Sequence, residues 1–145
     1  MILDTSAVIL DTSAVVLDTS AVIALVNREP EWRAVFDRID GAGEVRMSSV
    51  SLLELSIVLG SPRFGMSRSE VAALLESMGV ATVAFTPDHA VLAAEAYARY
   101  GKGNHPARLD FGDCAAYATA VLDGGSLLFV GEDFVQTDVR SALGE

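Results

Sequence analysis

An α/β fold with a mainly parallel sheet is predicted by three features of this sequence. Short apolar, β-branched runs at about Val15–Asp18, Val45–Met47, Val80–Phe85 and Leu127–Val130 are separated by longer stretches of helical character. Caps and stop signals fall where those helices must begin and end. Strands that alternate with helices build parallel pairs, because a parallel neighbour is reached through a crossover, usually a helix.

The elements follow in order. The strand at Val15–Asp18 feeds a helix beginning near Ala21, and a second, amphipathic stretch from Trp32 to Ile39 follows the Glu29-Pro30-Glu31 punctuation. Gly41 and Gly43 close that helix before Val45–Met47. A helix from about Ser49 to Leu59 stops near Gly60 and Pro62. Ser67 and Glu70 have the spacing of a capping box, opening a helix to Met78 that Gly79 terminates. After Val80–Phe85, Thr86 supplies an N-cap and Pro87 a first helical residue, for a helix to about Tyr100. Gly101–Leu109, with Lys102, His105 and Arg108 among glycines and a proline, is an exposed basic loop. Asp110 caps the next helix, which runs to about Leu122 and ends at Gly124-Gly125 before the buried strand at Leu127.

A chain of 145 residues with 51% hydrophobic and 21% charged side chains suits one compact domain with an ample core. The single cysteine, Cys114, excludes an internal disulfide framework and a multi-cysteine zinc site, and it sits among alanines as a small core residue. Asp4 and Asp11 stand where a secretory leader would carry Lys or Arg, and no apolar run reaches the ~20 residues of a membrane span, so a soluble cytoplasmic protein is expected. The net charge of −10 opposes general attraction to nucleic acid. A nucleic-acid enzyme of this charge needs divalent cations, a local basic loop or a basic partner.

The amino terminus is a repeat: ILDTSAV at Ile2–Val8, again at Ile9–Val15, and VLDTSAV at Val16–Val22. Copies this short and this rich in Val, Ile and Thr suit neither a coiled coil nor a solenoid. Only the third copy runs directly into new sequence, so residues 1–14 are expected to form an extension outside the fold and 15–145 the domain.

Four carboxylates stand out by position. Asp18 ends the first strand and Asp133 follows the last, the places where open α/β sheets hold ligands. Glu54 shares a helical face with Val50, Leu53, Ile57 and Val58, which reads as a core-facing stripe. A buried carboxylate needs a partner, either a cation or a base such as Arg46. Asp113 lies in a first helical turn, where the macrodipole favours negative charge. Singly, Asp18, Asp113 and Asp133 also suit a strand end, a first-turn acid and a turn. Converging on one pocket, the four would repel one another unless cations lay among them, and oxygen-only donors suit magnesium or manganese rather than zinc.

The segments DTSAVIALVNREPE from Asp18, SSVSLLE ending at Glu54, RYGKGNHPARLDFGDCAAYA from Arg99 and LLFVGEDFVQTD from Leu127 resemble, in order, the four acidic motifs of PIN-domain toxins of the VapC type. The resemblance spans Val16 to Asp138 and implies a three-layer α/β/α sandwich with metal-assisted hydrolysis of RNA. It implies an acidic quartet of Asp18, Glu54, Asp113 and Asp133, with Asp18 and Asp113 as direct ligands of Mg2+ or Mn2+ and the other two supporting or acting through water. Thr19 and Ser20 match hydroxyl positions that support the first acid. The family often has Asn at the position of Asp110, and the triplicated start is foreign to it. Lys102, His105 and Arg108 become possible RNA contacts, with a solvated loop the plain alternative. His89, in the first helical turn after Pro87, is expected to face solvent. The implied partners are a VapB-like antitoxin and an RNA substrate, in a homodimer or a toxin–antitoxin hetero-oligomer. A metal-dependent phosphatase, a DNA nuclease and a non-catalytic interaction module are the competing functions.

Overall fold

The computed structural model describes residues 14–144. The expected amino-terminal extension therefore lies outside the described residues, apart from Ala14, which opens the first strand. Among the described residues, four strands form one all-parallel sheet, β1 (Ala14–Leu17), β2 (Glu44–Ser48), β3 (Val80–Val83) and β4 (Leu127–Leu128), in the order β3-β2-β1-β4. Six α-helices among the described residues connect and flank them: α1 (Thr19–Val26), α2 (Trp32–Asp40), α3 (Ser49–Leu59), α4 (Arg68–Ser77), α5 (Pro87–Tyr100) and α6 (Phe111–Thr119).

The three layers follow from the period-2 alternation of β1. Val15 and Leu17 point into a core built with Ala21, Val22, Val35, Leu55, Leu59 and Leu75 from α1 to α4. Val16 points the other way, into a core with Ala96 and Tyr100 of α5 and Cys114, Ala116 and Tyr117 of α6. All four residues of β1 are buried, as a central strand covered on both faces should be. Cys114 is the small core residue its neighbours predicted.

The caps behave as the sequence indicates. Ser67 and Glu70 form a reciprocal capping box on α4, and Asp110 and Asp113 form another on α6. The last helix departs from expectation. Its α-helical part stops at Thr119, and Ala120–Gly124 forms a π-helical turn closed by left-handed Gly125. There Gly124 lies against Val16, so closely that a Cβ would stand 2.4 Å from Cγ2 of Val16, and glycine is required.

Two expectations fail. His89 is buried, not solvent-facing: its Nδ1 accepts the Thr86 N–H at 3.1 Å, and its Nε2 lies 2.5 Å from Oδ2 of Asp123 in the π-helical turn. One imidazole thus completes the α5 cap and ties α5 to the end of the neighbouring helix, a long-range role that local sequence does not announce. The face of α3 that carries Glu54 is likewise not the core face. Ser51, Leu55 and Leu59 are buried, whereas Leu53 and Ile57 are exposed. Because α3 is apolar all round, periodicity alone does not say which side meets the core. Among the described residues no helix is long and apolar enough to cross a membrane.

Candidate active site

From β1 the chain runs to neighbouring β2 and on to β3, then returns past β1 to place β4 on its other side. The sheet's topological switch point is therefore the gap between β1 and β4, and open α/β sheets bind ligands beyond the strand ends at such a gap. Asp18 sits there, its N–H donating to the carbonyl of Leu128 at 2.9 Å. Its carboxylate caps α1, with Oδ2 accepting from the N–H of Ser20 at 3.0 Å and from the Ser20 hydroxyl at 2.5 Å. The same hydroxyl accepts the N–H of Val130 at 3.0 Å, which ties the segment after β4 to the first acid.

The supporting hydroxyls divide their work differently from the expectation. Ser20 holds Asp18, but Thr19 turns to α3 and donates to Oε1 of Glu54 at 2.8 Å. Arg46 is not the partner of Glu54, since its guanidinium bonds to Glu44 and to the backbone carbonyl of Asp123. Glu54 instead lies against the start of α6, over Gly112. Sequence reasoning passed over Gly112. The signal was a glycine in the first turn of a helix, where helix propensity gives no reason for one.

Asp113 is fixed by its cap, donating its N–H to Oδ1 of Asp110 at 2.9 Å and accepting the N–H of Asp110 on Oδ2 at 3.1 Å. Burial pushes the Asp113 carboxyl up to about 8, against the lowering effect of that Asp110 bond and with the charges of Asp18, Asp110 and Asp133 adding to the rise. Burial likewise raises Asp18 to about 6, outweighing its two bonds from Ser20, with smaller contributions from Glu54 and Asp110. Asp133 stands exposed on the loop beyond β4 and acts on Asp113 through its charge. The four expected acids thus share one electrostatic neighbourhood, and Asp110, which the sequence marks as a cap, is a fifth.

The donor set is all oxygen. Among the described residues no three His, Cys, Asp or Glu side chains form a group able to grip one ion together. An all-oxygen donor set suits a hard cation such as magnesium or manganese rather than zinc. In the basic loop, Arg108 adopts a left-handed backbone (φ 57) two residues before the Asp110 cap. Nδ1 of His105 accepts the Ala107 N–H at 3.0 Å and its ring meets Tyr100 edge-on, so Lys102 and Arg108 are the cations this loop exposes.

Comparison with known proteins gives the family and the fold. The PIN domain family model matches residues 15–140. VapC ribonuclease Mb2004c of Mycobacterium bovis is 42% identical over 141 residues, 97% of this chain and 91% of the relative. Ribonuclease VapC of Mycolicibacterium smegmatis is 43% identical over 142 residues, 97% of this chain and 98% of the relative. Among solved structures, Mycobacterium tuberculosis VapC20, described as a toxin cleaving the sarcin–ricin loop, superposes with a TM-score of 0.66 at 21% identity, covering 86% of this chain and 95% of its own. Rickettsia felis VapBC2, solved bound to a DNA fragment from its promoter, gives 0.67 at 14% identity, covering 88% and 96%. The chain belongs to the PIN-domain family and, within it, to the VapC ribonucleases.

Proposed function

We propose that this protein is a magnesium- or manganese-dependent endoribonuclease of the cytoplasm and the toxin of a VapB-like antitoxin. The observation that carries the reading is the placement of buried Asp18 and half-buried Asp113, both with raised pKa values, in one electrostatic neighbourhood at the switch point of a parallel sheet. Acids held in that state favour a cation in their midst, which removes their mutual repulsion.

In this reading Asp18 and Asp113 are the direct ligands, and Glu54 and Asp133 act through water. A bound ion supplies positive charge against the phosphoryl oxygens and acidifies water at the site. Ser20 and the Asp110 cap fix the two ligand carboxylates before substrate arrives, so no side chain has to be reorganised during the reaction. Thr19 occupies Oε1 of Glu54, which leaves Oε2 to orient the attacking water and take its proton. The water oxygen bonds to phosphorus, the P–O bond to the departing ribose breaks, and the ribose oxygen takes up a proton. Lys102 and Arg108 hold flanking phosphates, a local attraction that the overall charge of −10 does not provide. The antitoxin partner is supported by the VapC names of the relatives and by the VapBC2 complex.

The test is cleavage of single-stranded RNA by the purified protein, with magnesium and with chelator, beside single-stranded DNA and a phosphomonoester. RNA cut only with metal, and not by Asp18→Asn, is the expected result. DNA cleavage or phosphatase activity in its place would move the chain to one of the competing functions, and no metal binding at all would make it an interaction module.

A further inference from the structure

Beside the acids, between α5 and α6, lies a cavity of about 540 Å³. Phe85, Tyr97 and Phe111 give it aromatic walls, and Cys114, Lys102 and Asp110 also line it. Phe111 is the unusual member. It sits between the cap Asp110 and the acid Asp113, yet it is 80% exposed. Leaving a phenyl ring in water forgoes about 1.5–3 kcal/mol of burial, so the fold gains nothing by placing it there. Opposite it, α5 presents Ala90, Ala93 and Ala94, small residues that leave the space unfilled.

We propose that this cavity is a nucleobase pocket in which one unpaired base of the substrate stacks on Phe111. The inference rests on the ribonuclease reading and deepens it by naming the form of RNA taken. An occupant has to offer a flat apolar face to the aromatic walls and an anion that reaches Lys102 clear of the Asp110 carboxylate, and on the ribonuclease reading it stays attached to a phosphate at the neighbouring acids. A nucleotide in a single strand meets all three demands, whereas an apolar protein side chain meets only the first. Duplex RNA is excluded, because its bases are already stacked on one another and none is free to enter. Few groups in the pocket can hydrogen-bond a base edge, so it discriminates by stacking area and favours purines over pyrimidines.

The test is steady-state cleavage of short fluorescent RNAs by Phe111→Leu and Phe111→Trp, alongside thermal melts with and without magnesium. Phe111→Leu keeps the apolar bulk and removes the aromatic face. It is expected to raise KM about five- to a hundredfold, the range for losing one stacked base, with a smaller change in kcat. Phe111→Trp brings KM back below that of the Leu variant, and the magnesium-induced shift in Tm is the same in all three proteins. In a Trp32→Phe background, the indole of Phe111→Trp should be quenched by single-stranded poly(A) and not by duplex RNA. An unchanged KM in Phe111→Leu, or an unquenched indole, overturns the pocket even if cleavage is normal. Loss of VapB-like antitoxin binding with KM unchanged would assign the cavity to a protein and overturn it too. If the wild-type chain cuts no RNA, the ribonuclease reading fails by itself, and quenching still decides the pocket.

Discussion

Glu54 lies over Gly112 so closely that a Cβ on the glycine would stand 2.6 Å from Oε1 and 2.9 Å from the carboxyl carbon. The acid of α3 and the first turn of α6 are thereby matched in shape, and Thr19 holds the carboxylate in that place from the third side.

Gly112→Ala should therefore displace Glu54 with little effect on the fold, since alanine suits a helix better than glycine does. Cleavage is expected to fall at least about tenfold, a common result when a catalytic group is moved by a fraction of its length. Adding Glu54→Asp, which withdraws the carboxylate by one methylene, should recover part of the loss relative to Gly112→Ala alone. A Gly112→Ala enzyme with wild-type rates would show that Glu54 is not a working residue.

Asp113→Asn should abolish cleavage and leave the metal-free protein as stable as the wild type or more so. The amide oxygen still accepts the Asp110 N–H, so the cap survives, while one of several mutually repelling charges is gone. Urea denaturation with chelator present reads the stability, and loss of folding would mean that Asp113 is chiefly structural.

Metal binding should be coupled to pH in a fixed direction. Asp18 and Asp113 have folded-state values of about 6 and about 8, above the ordinary 3.8, so the folded chain holds their protons more tightly than the unfolded chain does. Their stabilising contribution is complete below the unfolded value and is lost as pH rises through about 6 and then about 8. The Tm of the metal-free protein should accordingly fall from about pH 4 to about pH 8, and the Tm gain from millimolar magnesium should grow as pH passes through about 6 and about 8 and protons leave the ligands. A magnesium effect that shrinks with rising pH would contradict the ligand assignment.

His89→Ala should cost about 2–3 kcal/mol in urea denaturation, because it leaves the Thr86 N–H and the Asp123 carboxylate without their partner. Cleavage by the folded variant should persist, as His89 bonds to none of Asp18, Glu54, Asp113 and Asp133. Stability within error of the wild type would show that the contact from Asp123 to α5 contributes little.

The repeat presents Asp-Thr-Ser at Asp4, Asp11 and Asp18, and the packing of α1 distinguishes them. Moving the chain by one repeat to bring Asp11 into the site would put Leu17 where fully buried Ala24 stands, and Asp18 where Leu25 packs against the core. Overpacking of that kind costs about 1–3 kcal/mol, and the carboxylate adds to it. Asp18→Ala should therefore be inactive in RNA cleavage, and Asp4→Ala and Asp11→Ala near normal. An active Asp18→Ala variant would mean that the copies substitute for one another.

The sequence by itself determined the alternation of strands and helices, the parallel sheet, the caps at Ser67, Thr86 and Asp110, and the acids at the strand ends and in the first turn of α6. All of these are local: a turn residue, a cap or a run of β-branched side chains acts within a few positions of itself. Only the tertiary structure decided which face of α3 meets the core, that Thr19 serves Glu54 and not Asp18, that His89 is buried against Asp123, and that Gly112 makes room for a carboxylate. The side-chain partners among these lie far apart in the chain, 34 positions for His89 and Asp123, 35 for Thr19 and Glu54, and 58 for Glu54 and Gly112. Where a helix is apolar all round, or a polar group finds its partner on another element, packing selects among alternatives that local propensity leaves equal in energy.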